Sequence, residues 1–233
     1  MEFSCRQGVF GSHLFFVYSL VIMKIKSYLC NMNLQDTNNV RMSENVIIAD
    51  ADYIDYVAFQ LAVQFERMIG RAIPPADFGQ WAVNITLDGG LREDGKMHET
   101  QVVLVCDGKS RRLDNFRPSD FETELNARAF KDDHLGEFLV NSYAVGEMVS
   151  KDEYILDVVK TMMDHKNVKR LMIIPNSEEG NIYDEIRHAL RKAPEDKHIT
   201  VFAMQPMTGG NFRQEILGYS LMNAMGIRAE EIK

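Results

Sequence analysis

The chain has 233 residues and a mass of 26.7 kDa, 45% hydrophobic and 26% charged, which excludes a disordered tail, a collagen-like repeat and a disulfide-stapled miniprotein. A formal charge of −8 disfavours a surface built throughout to grip nucleic acid and leaves room for a local basic patch. Three cysteines, Cys5, Cys30 and Cys106, are odd in number and lack metal-ligand spacing, which argues against a disulfide framework or zinc ribbon and for a reducing cytoplasm.

Residues 1–41 stand apart. Their apolar run Leu14–Met23 is shorter than the roughly 20 residues a membrane span needs. Lys24 and Lys26 follow the run, whereas a signal peptide carries its charge before it. Two readings stay open for this extension: a start-site artefact, with Met42 as the native start, or an export or membrane role. Residues 42–233 are read as a single α/β domain.

From there strands and helices alternate. Val46–Ala49 is a short apolar run ending in Asp50-Ala51-Asp52, as a buried parallel strand ends at its loop. Ile54, Val57, Ala58, Leu61, Phe65, Met68 and Ile69 then recur at helical spacing. Asp77–Asp88 fits either period, and a helix is preferred because prolines precede it and glycines follow. Gln101–Cys106 is a second buried strand, followed by a loop with Lys109, Arg111 and Arg112. Pro118 to about Arg128 is expected to be a short helix, and Glu137–Val145, of mixed polarity, a strand at the sheet edge.

Ser150-x-x-Glu153 is a capping box that opens a helix with Ile155, Val158, Val159 and Met162 inward. Arg170–Ile174 is a fourth strand, Ile182–Leu190 a helical stripe, and Ile199–Met204 a fifth strand. A last helix is expected from Phe212 onward. The alternation predicts a three-layer α/β sandwich around a mainly parallel five-stranded sheet, PIN/NYN-like or Rossmann-like.

In open parallel sheets, ligands bind outside the carboxyl ends of the strands. This chain places Asp50 and Asp52 after strand one, Asp107 after strand two, and Glu178 and Glu179 after strand four. Carboxylates converging on one rim repel unless a cation sits among them, and their hard oxygens suit Mg²⁺ or Mn²⁺. Such an ion could activate water for phosphodiester chemistry. The plainer alternative is that these residues are turn formers and helix caps, as Asp52 could be.

The order of elements resembles the PIN-like nucleases, and their NYN branch in particular. The resemblance rests on Ile47-Ile48-Ala49-Asp50, on the helix start Lys151 to Asp157, and on the strand, loop and helix of Leu171–Ile186. It implies a metal-dependent ribonuclease or phosphodiesterase with Asp50, Asp157 and Glu178 as catalytic residues. Asp50, Asp52, Asp157 and Glu178 would hold Mg²⁺ or Mn²⁺, and Arg111 and Arg112 would meet phosphate. Where the family has an aspartate-rich loop after strand four, this chain has Pro175-Asn176-Ser177-Glu178-Glu179-Gly180. That departure keeps a second reading open, a non-catalytic scaffold or nucleotide- or protein-binding module with a degenerate site. RNA or a nucleotide, or a protein partner or second copy, are the partners considered, with no membrane.

The chain is also similar to members of an uncharacterised bacterial family. The shared stretches are Asp50-Ala51-Asp52-Tyr53, Leu87-Asp88-Gly89-Gly90-Leu91, Met207-Thr208-Gly209-Gly210 and Leu217–Met222. Thr208-Gly209-Gly210-Asn211 before a helix could cradle phosphate, although it lacks a P-loop lysine and serves equally as a turn. No His-x-x-x-His pair occurs among His98, His134, His165, His188 and His198, and no Gly-x-Ser-x-Gly nucleophile elbow is present.

Overall fold

A computed structural model describes residues 42–146 and 148–232, so the reading of residues 1–41, with Cys5 and Cys30, lies outside the described residues. In chain order the strands and helices are β1 (Asn45–Asp50), α1 (Ala51–Ile69), β2 (Ala76–Asp77), α2 (Phe78–Asp88), β3 (His98–Asp107), β4 (Phe116–Arg117), β5 (Arg128–Asp132), β6 (Gly136–Val145), α3 (Lys151–Asp164), β7 (Arg170–Ile174), α4 (Ile182–Ala189), β8 (His198–Ala203), β9 (Arg213–Ile216) and α5 (Leu217–Ala224).

Seven strands form one sheet in the order β5-β6-β3-β1-β7-β8-β9, and β2 and β4 pair separately. Every neighbour in the large sheet is parallel except β5, which runs antiparallel to β6. The sheet therefore has seven strands where five were expected, because two short polar strands carry little apolar signal. Arg128–Asp132 has no buried position, and Arg213–Ile216 is largely half-exposed. The first covers β6, so β6 is not the edge its polarity suggested. The second takes up what was expected to be the start of the last helix, which begins only at Leu217. The helix expected from Pro118 shrinks to a π-helical turn at Phe121–Leu125.

Alternation along the strands supplies two cores. Ile47 and Ala49 of β1, Val102, Leu104 and Cys106 of β3, and Met172 and Ile174 of β7 face the stripes of α1, α2 and α5. Val46, Ile48, Val103, Val105, Leu171 and Ile173 face Ile155, Val159 and Met163 of α3, and Ile182 and Ile186 of α4. Burying side chains of this size contributes about 1.5–3 kcal/mol each, so both layers of helices are held by their apolar faces. The chain moves outward from β1 through β3 to β6, then returns to β7 on the other flank of β1. The direction of winding reverses between β1 and β7, and the carboxyl end of β1 borders that reversal.

Candidate functional site

Asp50 closes β1 and caps α1: its Oδ1 accepts the Tyr53 amide at 3.0 Å, and its side chain is fully buried. The strand register sets Asp50 beside Val105 of β3, with Asp107 two residues further along. Asp52, in the first turn of α1, accepts the Asp107 amide at 2.8 Å on Oδ2 and the Ser110 hydroxyl on Oδ1. Three carboxylates thus meet at one rim because a strand end, a helix start and a neighbouring strand end coincide there.

What stands among them is Lys151. The Ser150–Glu153 capping box fixes it as the first residue of α3, and the crossover from β6 begins that helix at the same rim. Its Nζ donates to Asp50 Oδ1 at 2.8 Å and to Asp52 Oδ2 at 2.9 Å, and lies 3.6 Å from Asp107 Oδ2. The second oxygen of Asp50, Oδ2, is buried with no hydrogen-bond partner.

Burial pushes the Asp50 carboxyl above its usual range, against the pull of Lys151 and of the Tyr53 amide. Asp52 is also desolvated, but its bonds from Ser110, Lys151 and the Asp107 amide outweigh that and hold it below the usual range. For Lys151 desolvation opposes the charge, yet the attraction of Asp50 and Asp52 prevails and keeps it protonated above the ordinary lysine range. An ammonium held this firmly is neither a nucleophile nor a general base at neutral pH. The Tyr53 phenol, pushed up to about 12 by burial first, contacts Ser177 Oγ at 3.3 Å and feels the nearby Glu178 carboxylate.

The model of a family of unknown function, DUF6621, matches residues 39–232. The chain belongs to that family. Searches of curated proteins and of solved structures find no match to it.

In this DUF6621 chain the nominated residues divide. Asp50 and Asp52 come together, and Asp107 joins them. Glu178 lies at the rim beside Tyr53, in the loop after β7. Asp157 is not brought in: it sits six residues beyond Lys151, about 9 Å along α3, with its carboxylate 65% exposed and 3.9 Å from Lys160. A divalent ion does not fit the arrangement as it stands. Mg²⁺ needs oxygens at about 2.1 Å, and the space between Asp50 and Asp52 is filled by an ammonium. Among the described residues no group of three or more His, Cys, Asp or Glu side chains is placed to hold a metal ion.

Lys151, Ser110 and Tyr53 complete the site; Lys151 and Tyr53 lie in stretches that carry the resemblances, but none of the three was expected among the site residues. The signal that could have found Lys151 was the capping box, since the first residue of a crossover helix lies at the strand ends.

Beside the cluster, a depression of about 350 Å³ is lined by Asp52, Asp55, Lys109, Ser110, Arg111, Arg112 and Asp114. Arg112 pairs with Asp114 at 2.6 Å, while Lys109 and Arg111 have no ion pair among the described residues. Gly209-Gly210 leads into β9 instead of a helix, so the expected phosphate cradle lacks its helix N-terminus. That loop is held by Gln214, which bonds Met207 through both amide atoms and donates to the Tyr183 hydroxyl. Among the described residues no helix is long and apolar enough to cross a membrane.

Proposed function

We propose that this domain is a non-catalytic binding module of PIN/NYN-like topology, which takes the phosphate of RNA or a nucleotide on the Lys109–Arg112 loop beside a carboxylate site closed by its own lysine. The observation that carries this reading is the Lys151 ammonium, 2.8 Å from Asp50 and 2.9 Å from Asp52. It neutralises charge where hydrolysis would require a cation that polarises water or a leaving oxygen. The parallel strands, taken in chain order as third, second, first, fourth, fifth and sixth, agree with a doubly wound sheet, in which ligands settle at the reversal beside strand one. Lys109 and Arg111 border that reversal on the β3 side and can meet phosphate as charged donors.

The test uses the full chain and a fluorescent single-stranded oligoribonucleotide, with anisotropy read in EDTA. Binding is expected without metal, falling with salt and about tenfold weaker in the Arg111→Ala/Arg112→Ala variant. RNA should remain intact after incubation with Mn²⁺. Absence of RNA and nucleotide binding would remove the proposal.

A second reading, a divalent-metal-dependent ribonuclease or phosphodiesterase, is favoured by one observation: three carboxylates face a single ammonium. Cleavage that needs Mn²⁺ and disappears in Asp50→Asn would establish it over the first.

A further inference from the structure

We propose that β5 is the interface of a homodimer, in which two copies of the chain pair their β5 strands antiparallel about a twofold axis at Phe130 and join their sheets into one. This is independent of whether RNA binds the Lys109–Arg112 loop.

The first argument is the open edge. β5 ends the sheet: it pairs with β6 on one side and, among the described residues, with no strand on the other. The unpaired amides and carbonyls of an edge strand are a template for a further strand. β9 ends the sheet on the opposite side, but it has four residues, and its Arg213 already pairs with Glu215 of the same strand.

The second argument is charge. The strand reads Arg128-Ala129-Phe130-Lys131-Asp132, with opposite charges at equal distance from its central residue. Antiparallel pairing centred on Phe130 sets Arg128 of each copy opposite Asp132 of the other, and Phe130 opposite itself. Directly opposed side chains lie about 4.5–5.5 Å apart at Cβ, so two ion pairs flank a central aromatic pair on one face. Within the chain, Arg128 donates to the Thr123 carbonyl oxygen and Asp132 Oδ1 accepts two turn amides, but neither residue has an ion pair among the described residues. The neighbouring registers lack this match. Moving the axis to Lys131 sets two ammonium groups against each other, and moving it to Ala129 sets Arg128 against Phe130.

The third argument is packing. Phe130 is partly buried and stacks on Phe138 of β6, with ring centroids 4.7 Å apart and planes 7° from parallel. Pairing through β5 extends this stack into a row of four phenylalanine rings across four strands. On the other face Ala129 stands opposite Leu139, which is 38% exposed. The partner's Lys131 lays its apolar stem over that pair and keeps its ammonium near Glu137, its cross-strand neighbour on β6.

The experiment is sedimentation equilibrium on the full chain from about 5 to 200 µM. A pair of short strands buries less than a permanent interface, so the expected dissociation constant is about 10–100 µM. Arg128→Glu and Asp132→Lys, which each set like charges opposite one another, should weaken self-association at least about tenfold. An equimolar mixture of the two variants restores both ion pairs across the axis. It should associate within about threefold of the wild type. A wild-type chain that stays monomeric at 200 µM overturns the proposal and leaves the edge to a strand of another protein. A dimer indifferent to Arg128→Glu overturns it too, as does a mixture of folded variants that fails to associate.

Asp132 holds the turn after β5, so Asp132→Lys is the variant at risk of not folding. Hydrogen exchange on the wild-type chain then decides. Protection of the amides of residues 128–132 should rise severalfold between about 5 and 200 µM, and protection independent of concentration overturns the proposal without any variant.

Discussion

The Nζ of Lys151 donates to Oδ1 of Asp50 at 2.8 Å, joining the first turn of α3 to the end of β1 across 101 residues of chain. Removing one partner of a buried ion pair leaves the other charge without compensation, at a typical cost of 3–5 kcal/mol. Lys151→Met is accordingly expected to lower unfolding free energy by about 3 kcal/mol, the low end, because Asp50 keeps its bond from the Tyr53 amide. Asp50→Asn keeps a side chain that caps helices well and should cost about 1–2 kcal/mol. The double variant should lose less than the two singles together. Urea melts of the four chains measure this, and strict additivity would show that the pair is not coupled.

A second ion-pair network ties the opposite ends of the strands and should appear as a pH dependence. His98, which opens β3, meets Glu44 through Nδ1 and Asp94 through Nε2, and Lys169 also binds Glu44 at 3.0 Å. The hydrogen bond to Glu44, opposed by burial and joined by Asp94, holds His98 above the usual histidine range. A histidine raised in the folded state contributes stability fully below its unfolded value of about 6.5, and loses it as pH rises through the higher folded value. Glu44 is lowered, by His98 first and against burial, so its contribution is present above the ordinary carboxylate range and lost as pH falls through its folded value. Stability from this network should peak between roughly pH 5 and 6.5 and decline above. In His98→Gln the decline above pH 6.5 should flatten; an unchanged profile in thermal melts would refute the assignment.

The start of β6 depends on one glycine. Gly136 has φ +104°, and a Cβ there would lie 2.2 Å from the His98 carbonyl oxygen and 2.5 Å from its amide nitrogen, in the strand directly paired with it. Neither contact is a flexible side-chain end that can step aside, and the backbone conformation itself disfavours an L side chain. Gly136→Ala is expected to cost about 3 kcal/mol or more, against about 1–2 kcal/mol for Gly95→Ala, which has open space around it and strain alone. Comparison of denaturant midpoints separates the two, and equal losses would contradict the close approach of β6 to β3.

The strands that bury both faces were readable because their residues are apolar without interruption: Val46–Ala49, Val102–Cys106 and Leu171–Ile174 have no other stable place than the centre of a sheet. Arg128–Asp132 and Arg213–Ile216 were missed because a strand at the margin is held by backbone hydrogen bonds to one neighbour, and its side chains need not be apolar. Of the site, the aspartates at the ends of β1 and β3 follow from strand direction alone. Asp157 does not reach the rim because it lies six residues beyond Lys151 on α3, and six steps of 100° turn it well away from the first residue. The ammonium at the centre was hidden for a different reason. A lysine read along the chain looks like a solvated charge, and only the register of α3 over the strand ends shows that it is enclosed.

That enclosure also governs Cys106, the one cysteine among the described residues. It lies 1% exposed at the end of β3, and its Sγ donates to the Tyr143 carbonyl oxygen at 3.7 Å. Burial, reinforced by the Asp52 charge and only partly offset by Lys151, pushes its thiol up to about 12. The thiolate is the reactive form, and at pH 8 a group titrating at about 12 is ionised in roughly one molecule in ten thousand. Iodoacetamide at that pH should leave Cys106 unmodified in the native chain and alkylate it promptly in urea, as read by peptide mass mapping. Labelling of the native protein at the rate of an exposed thiol would mean that the carboxyl end of β3, and with it the aspartate rim, opens to solvent far more often than its packing allows.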